Sequence, residues 1–234
     1  LTIPGGRNET ISSSEHGHTL VLTIDRSVQF AAERILIDGV IAANAEGGTL
    51  VAMRPSTGEI VASATVSRNN DGMVEVSSDN RAVTWAYEPG SIMKPLTFAG
   101  VIEEKVGAPS SVMEIPNAIE IWEKAFIDSF AHETEEWSIA EILKKSSNVG
   151  TIMWAQELGE KRLYETLSSF GLGQATGLEL PGETRGSLLG QSKWSGTSLP
   201  TIAIGQGVAV TPMQMLVAYS AIANEGRRPA PSLV

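Results

Sequence analysis

Tyr87-Glu88-Pro89-Gly90-Ser91-Ile92-Met93-Lys94-Pro95 is the stretch whose reading decides this chain. Pro89-Gly90 ends an extended segment, and a helix is expected to begin near Ser91. On a helix, positions i and i+3 share a face, so Ser91 and Lys94 place a hydroxyl beside an amine. A serine hydroxyl is a weak nucleophile until a base takes its proton. A lysine can be that base when burial or a neighbouring cation lowers its pKa. The start of a helix adds free N–H groups and a positive dipole end, and both favour the negative charge that develops in acyl transfer. Pro95 is a poor residue for a plain helix interior, so the turn is read as built for something other than stability.

A bare Ser-x-x-Lys is a weak signal, because about one chance match is expected in a chain of this size. Its bland reading is an exposed lysine on the first turn of an ordinary helix. A second element stands at Lys145-Ser146-Ser147-Asn148-Val149-Gly150. Ser146 and Asn148 put a hydroxyl and an amide two residues apart. The hydroxyl can relay a proton, and the amide has a donor and an acceptor with which to grip a peptide bond. Taken alone, this element also reads as an N-cap or Asx turn ahead of a helix at 149–158.

Outward from these motifs the pattern is strands first, then helices. Residues 19–24 are β-prone. Asp25 and Ser27 are N-cap candidates for a helix whose buried stripe is expected at Val28, Ala31, Ala32, Ile35 and Leu36. Gly47-Gly48 is read as a break. Thr49 to Met53 and Ile60 to Val66 read as an antiparallel hairpin around the Pro55–Gly58 turn, covered by helices on both faces. Residues 67–82 read as loop. From Ser91 onward helices are expected, with loops between them. Thr211 is a cap, Pro212 suits a first helical position, Gln214 can return a hydrogen bond, and the helix stops near Gly226. This order predicts an α+β class.

The chain has 234 residues, with a formal net charge of −10 and no cysteine. It is long enough to bury a real core. The acidic balance argues against nucleic acid as the main partner, since phosphates call for Lys and Arg. Without cysteine there is no disulfide, thiolate catalysis or Cys-ligated metal. His16, His18 and His132 are too few and too scattered for a metal site, and His16 and His18 read as surface residues. No run of about 18 apolar residues spans a membrane, and no signal peptide opens the chain. Residues 1–18 read as a linker or the tail of an upstream domain, and 19–234 as one domain.

Ser-x-x-Lys followed by Ser-x-Asn is the signature of the serine penicillin-recognising enzymes. The flanking residues narrow the likeness. Thr23-Ile24-Asp25 with Gln29 and Ala32-Glu33, the hairpin with Pro55 and Gly58, and Asn80-Arg81-Ala82 ahead of Tyr87-Glu88-Pro89-Gly90-Ser91 resemble the transpeptidase domain of a class B penicillin-binding protein. Ser146-Ser147-Asn148-Val149-Gly150 and Gly205-Gln206-Gly207 with Thr211-Pro212 are similar to its division-specific branch. The resemblance implies the penicillin-binding protein/serine β-lactamase-like fold, an antiparallel sheet with a large helical subdomain. It implies Ser91 as the acylated nucleophile, Lys94 as its base and Ser146 as proton relay. Asn148 then binds substrate peptide amides, and the Ser91 N–H is one half of an oxyanion hole. Gly205-Gln206-Gly207 is given no chemistry and reads as a close-packing loop.

The implied activity is D,D-transpeptidation, cross-linking peptidoglycan stem peptides, with β-lactams acylating the same serine. No metal or organic cofactor is implied. The implied setting is the outer face of a bacterial cytoplasmic membrane, with divisome partners that include a glycosyltransferase and an anchor lying outside this sequence. The family's third motif is Lys-Thr-Gly or Lys-Ser-Gly on a later strand. No such triplet occurs here, and Lys193-Trp194-Ser195-Gly196 has one residue too many and precedes the Thr211 helix. The sequence is therefore read as ending before that motif, with an incomplete sheet, an open edge beside the Ser91 helix and impaired catalysis. Two other readings stand beside the transpeptidase. One is a serine β-lactamase, for which no Glu-rich loop activating a deacylating water is evident. The other is a non-catalytic β-lactam sensor or divisome scaffold.

Overall fold

The computed structural model describes residues 17–234. In order, the elements are α1 (Arg26–Ala42), β1 (Gly47–Met53), β2 (Ile60–Arg68), β3 (Val74–Val76), α2 (Arg81–Thr84) and α3 (Lys94–Glu103). Four short strands follow: β4 (Val112–Ile115), β5 (Ala118–Ile121), β6 (Lys124–Ile127) and β7 (Glu135–Ser138). The rest is helical: α4 (Ile139–Lys145), α5 (Asn148–Leu158), α6 (Glu160–Ser169), α7 (Ser198–Ala203) and α8 (Pro212–Ala223). The α+β reading holds. The linker assigned to residues 1–18 lies outside the described residues up to position 16, as does His16; Gly17 and His18 are exposed coil.

Asp25 caps α1 as expected, its Oδ1 accepting the N–H groups of Ser27 at 2.8 Å and Val28 at 3.1 Å. The stripe on α1 is narrower than predicted. Ala32 and Leu36 meet Leu50, Ala52, Ala62 and Ala64, and Leu36 and Val40 close over Gly48. Val28, Ala31 and Ile35 face outward, Ile35 at 66% exposure. The sheet beneath α1 is mainly two strands spaced about 5 Å apart, which meets one row of helix side chains rather than a broad face. The strand expected over 19–24 does not form. Leu20, Val21 and Leu22 are exposed; among the described residues Thr23 ties the segment down, its N–H donating to Leu233 O at 2.9 Å and its hydroxyl to Ile60 O at 2.7 Å. β-Propensity without a partner ladder gives no strand.

The hairpin is antiparallel, from Gly47↔Ser67 to Ala52↔Ala62, with an irregularity before Met53↔Ile60. Gly47 and Gly48 lie inside β1 instead of breaking it. A Cβ on Gly47 would stand 2.6 Å from Val66 O, so glycine serves close approach here. Both faces are covered as expected. α1 lies on one, while Val51 and Met53 join Ile60, Ala82, Val83, Met213 and Val217 on the other. β1 pairs only with β2 among the described residues.

Two stretches read as loop or helix contain strands. β3 turns back on β2 through Asn69, whose Oδ1 accepts from Asp71 and Met73 N–H, both at 3.0 Å. β4 pairs with β7 and β5 with β6, all antiparallel. The alternation in Ala118-Ile119-Glu120-Ile121 is the local signal for β5. The helical block then forms a second core from Leu96, Phe98, Val101, Ile142, Val149, Trp154, Leu163, Leu167, Ile202 and Met215. α8 joins the two cores. Met213 and Val217 face the sheet, while Met215 and Ala218 face the helices. Its capping box is the one expected: Gln214 N–H donates to Thr211 Oγ1 at 3.1 Å, and Thr211 N–H to Gln214 Oε1 at 2.8 Å. No helix of the described residues is long and apolar enough to cross a membrane.

Candidate active site

The segment before α3 is a 3-10 turn over Gly90–Met93, not the first turn of an α-helix. In a 3-10 turn residues i and i+3 eclipse, so Lys94 sits over Ser91, and its N–H donates to Ser91 O. Pro95 falls in the first turn of α3, where a missing N–H costs nothing. The functional meaning read into Pro95 is therefore withdrawn. Ser91 is exposed and Lys94 is 1% exposed. A turn that opens at Gly90 leaves the Ser91 N–H without an acceptor inside it. Gly205 closes on this turn from outside. Gly90 N–H donates to Gly205 O at 2.9 Å, and a Cβ on Gly205 would stand 2.1 Å from Gly90 O. The Gly207 N–H donates to Glu88 Oε1 at 2.8 Å. The segment 205–207 is thus a close-packing loop, as read.

Helix α4 ends at Ser146, which takes the left-handed conformation at φ 56°. Glycine usually fills that position, and a serine there is held by its surroundings at a cost of about 1 kcal/mol or more. Ser147 then caps α5, its Oγ accepting the Gly150 N–H at 2.9 Å. The element is thus an N-cap, and Ser147 is the capping residue. This leaves the side chains of Ser146 and Asn148 free to face elsewhere.

They face Lys94. Its Nζ donates to Ser146 Oγ at 3.1 Å, to Asn148 Oδ1 at 2.8 Å and to the Ser146 carbonyl. Asn148 Nδ2 donates to Ile127 O at 3.0 Å. A lysine donor on one side and a carbonyl on the other fix which way the amide points. The other Nδ2 hydrogen of Asn148 has no partner among the described residues. The four residues singled out in the sequence thus divide. Lys94, Ser146 and Asn148 form one hydrogen-bonded cluster. Ser91 stands one turn before Lys94, and its hydroxyl has no hydrogen bond among the described residues.

Burial lowers the Lys94 pKa to about 8, partly offset by the charge of Asp128. A neutral amine keeps two hydrogens for the Ser146 carbonyl and Asn148 Oδ1, and its lone pair can accept a hydroxyl proton. This is what a base beside a serine requires.

Asp128 is not singled out by the sequence, and His132 stands out there only as one of three histidines too scattered for a metal site. The Asp128 side chain is fully buried and that of His132 is 4% exposed. Asp128 Oδ2 accepts the Ser147 hydroxyl at 2.7 Å, and its Oδ1 accepts the N–H groups of Val149 at 3.0 Å and of Asn148. No local pattern announces an acid 20 residues before the helix it caps. A groove of about 790 Å³, lined by Gly100, Ile102, Thr166, Phe170 and Ile222, lies by the other end of α3.

A buried lysine tied to a Ser-x-Asn element, one turn from an exposed serine on an α+β scaffold, is an arrangement chemically suited to acyl transfer. The penicillin binding protein transpeptidase domain family matches residues 48–234, and the chain belongs to this family. It is 35% identical to penicillin-binding protein PbpB of Mycobacterium tuberculosis over all of this chain and 35% of that protein. It is 34% identical to the peptidoglycan D,D-transpeptidase FtsI of Escherichia coli over 93% of this chain and 38% of that one. The chain thus spans little more than a third of either of these curated relatives. Among solved structures it is similar to penicillin binding protein 3 of Mycobacterium tuberculosis, with a TM-score of 0.89 and 33% identity over 96% of this chain and 52% of that chain. The aztreonam complex of that protein matches with a TM-score of 0.88 and 32% identity, over 97% of this chain and 52% of that one. The fold expected from the resemblance is the fold found.

Proposed function

We propose that this protein is a serine D,D-transpeptidase that cross-links peptidoglycan stem peptides and is acylated by β-lactams. The observation that carries the reading is the Lys94 amine, buried and bonded to Ser146 and Asn148 one turn from Ser91. Ser91 Oγ bonds to the carbonyl carbon of the D-Ala-D-Ala amide, and its proton passes to Lys94. Negative charge on the carbonyl oxygen is met by the Ser91 N–H. Ser146 passes the proton to the departing amine as the C–N bond breaks, and D-Ala leaves. An amine of a second stem peptide then attacks the ester. Its proton returns by the same route, and Ser91 Oγ is released. Asn148 holds the donor peptide through its free amide hydrogen. A β-lactam opens on Ser91 in the same way.

The printed name of the Escherichia coli relative, a peptidoglycan D,D-transpeptidase, supports the substrate class. The division-type likeness of the Ser146–Gly150 and Gly205–Thr211 segments supports a septal role. Such a domain works outside the cytoplasmic membrane, held by an anchor and by divisome partners that include a glycosyltransferase. The test is mass spectrometry of the protein treated with penicillin. One adduct is expected, mapped to Ser91, and Ser91→Ala takes none. An adduct on another serine overturns the assignment.

A further inference from the structure

We infer that Asp128 is a positioning residue of the acylation site, seated by His132, and that it holds Ser146 and Asn148 against Lys94. The inference rests on the roles proposed above for Ser91 and Lys94. Asp128 follows β6 directly, so its backbone is tied to the β5–β6 hairpin. Its carboxylate accepts four hydrogen bonds. Oδ1 takes the N–H groups of Asn148 and Val149, and Oδ2 takes the Ser147 hydroxyl and His132 Nε2 at 3.1 Å. Three of these four donors belong to consecutive residues, 147 to 149, at the start of α5. Their combined effect is to pin the segment on which Ser146 and Asn148 stand.

A cap alone would need one oxygen at the helix start. Ser147 already supplies it at Gly150 N–H, 2.9 Å away. Asp128 goes further. It brings a full negative charge into a buried site, which is costly unless the charge is paired and bonded. Part of that bonding comes from His132. Its Nδ1 lies 2.6 Å from the Glu133 carbonyl oxygen, and its Nε2 faces Asp128. Both ring nitrogens thus face oxygen atoms, which fixes the orientation of the ring beside Asp128. The ring also rests on Trp137, at 4.4 Å between centroids, and on Phe130, at 5.4 Å. Lys145 lies over the Trp137 ring at 4.6 Å.

The same carboxylate bears on Lys94. Burial lowers the pKa of that amine, and the negative charge of Asp128 raises it back in part. Asp128 thus acts on the base in two ways. It fixes the acceptors around Nζ by geometry, and it limits how far burial drives the amine toward the neutral form.

Asp128→Asn separates these roles from simple folding. Its Oδ1 can still accept both backbone N–H groups, while its amide removes the charge. In the whole protein, the second-order rate of Ser91 acylation by a fluorescent penicillin is expected to fall at least about tenfold, since small misplacements in such sites cost up to about 100-fold. The inflection of rate against pH is expected to move lower, because Lys94 loses its negative neighbour. A purely structural carboxylate would leave that inflection in place. The Lys94 titration is also read directly, by NMR of lysine labelled at the ε-carbon, which needs no acylation. An unshifted Lys94 titration in folded Asp128→Asn overturns the inference, as does a wild-type acylation rate. If Asp128→Asn does not fold, His132 decides. His132→Gln keeps a donor near the position of Nε2 and is expected to acylate faster than His132→Leu at matched thermal stability. Equal rates for these two overturn the inference. A wild-type protein with no adduct on Ser91 overturns the proposed function instead, and the Lys94 titration still judges Asp128.

Discussion

Lys94 is an amine with three acceptors and almost no solvent, and its chemistry follows from that balance. Burial disfavours the charged form and brings the pKa from 10.5 down to about 8. The sign for stability follows. Below about 8 the amine is protonated both folded and unfolded, and the full cost of burying charge is present. From there up to 10.5 the unfolded chain binds the proton and the folded one does not, so stability rises with pH. The same titration governs reaction. Acylation of Ser91 by penicillin is expected to rise with pH through about 8 and then level off, measured as initial rate at fixed penicillin. Lys94→Arg is expected to abolish it at every pH, since a guanidinium does not give up its proton. A flat profile would remove Lys94 from the role of base.

Between α4 and α5, Ser146 is the single residue outside regular helix before the Ser147 cap, and its left-handed backbone turns the chain so that 146 and 148 reach Lys94. Ser147→Ala removes the cap on Gly150 and a buried bond to Asp128, and should cost about 1–2 kcal/mol in denaturant unfolding. Loss below about 0.5 kcal/mol would mean that Asp128 alone holds the helix start. Thr211→Ala breaks one half of the capping box of α8, with an expected loss of about 1 kcal/mol by the same measurement. Gly205 tests a different property, since φ is 79° and Gly90 O stands where a Cβ would go. Gly205→Ala is expected to shift the Ser91 turn and slow acylation on the order of 100-fold. Circular dichroism should show the helices retained, and an unaffected rate would show that the turn does not need this contact.

At the scale of the whole molecule, α8 couples sheet and helical block, so neither core is expected to unfold alone. Residues 1–234 contain no Lys-Thr-Gly or Lys-Ser-Gly triplet, and the chain covers 35% of a curated relative. Joining the chain to a segment that carries such a triplet is expected to raise the acylation rate on the order of 100-fold, the usual worth of an oxyanion donor. Equal rates would show that the Ser91 N–H suffices or that another group here serves. The sequence by itself determined what depends on neighbours along the chain. It carried the Asp25 cap, the hairpin around Pro55–Gly58, the Thr211–Gln214 capping box and the one-turn spacing of Ser91 from Lys94, because turns, caps and periodicity act over three or four residues. It misjudged what depends on a partner. Among the described residues, 19–24 have strand propensity but no ladder, and Ile35 sits in a helical stripe with nothing to cover it. Only the tertiary structure decided that Lys94 is buried and meets Ser146 across 52 residues, and that Asp128 and His132 stand behind them. Those contacts follow from how α3, α4, α5 and the β5–β6 hairpin pack together, and no local spacing encodes the packing of elements distant in the chain.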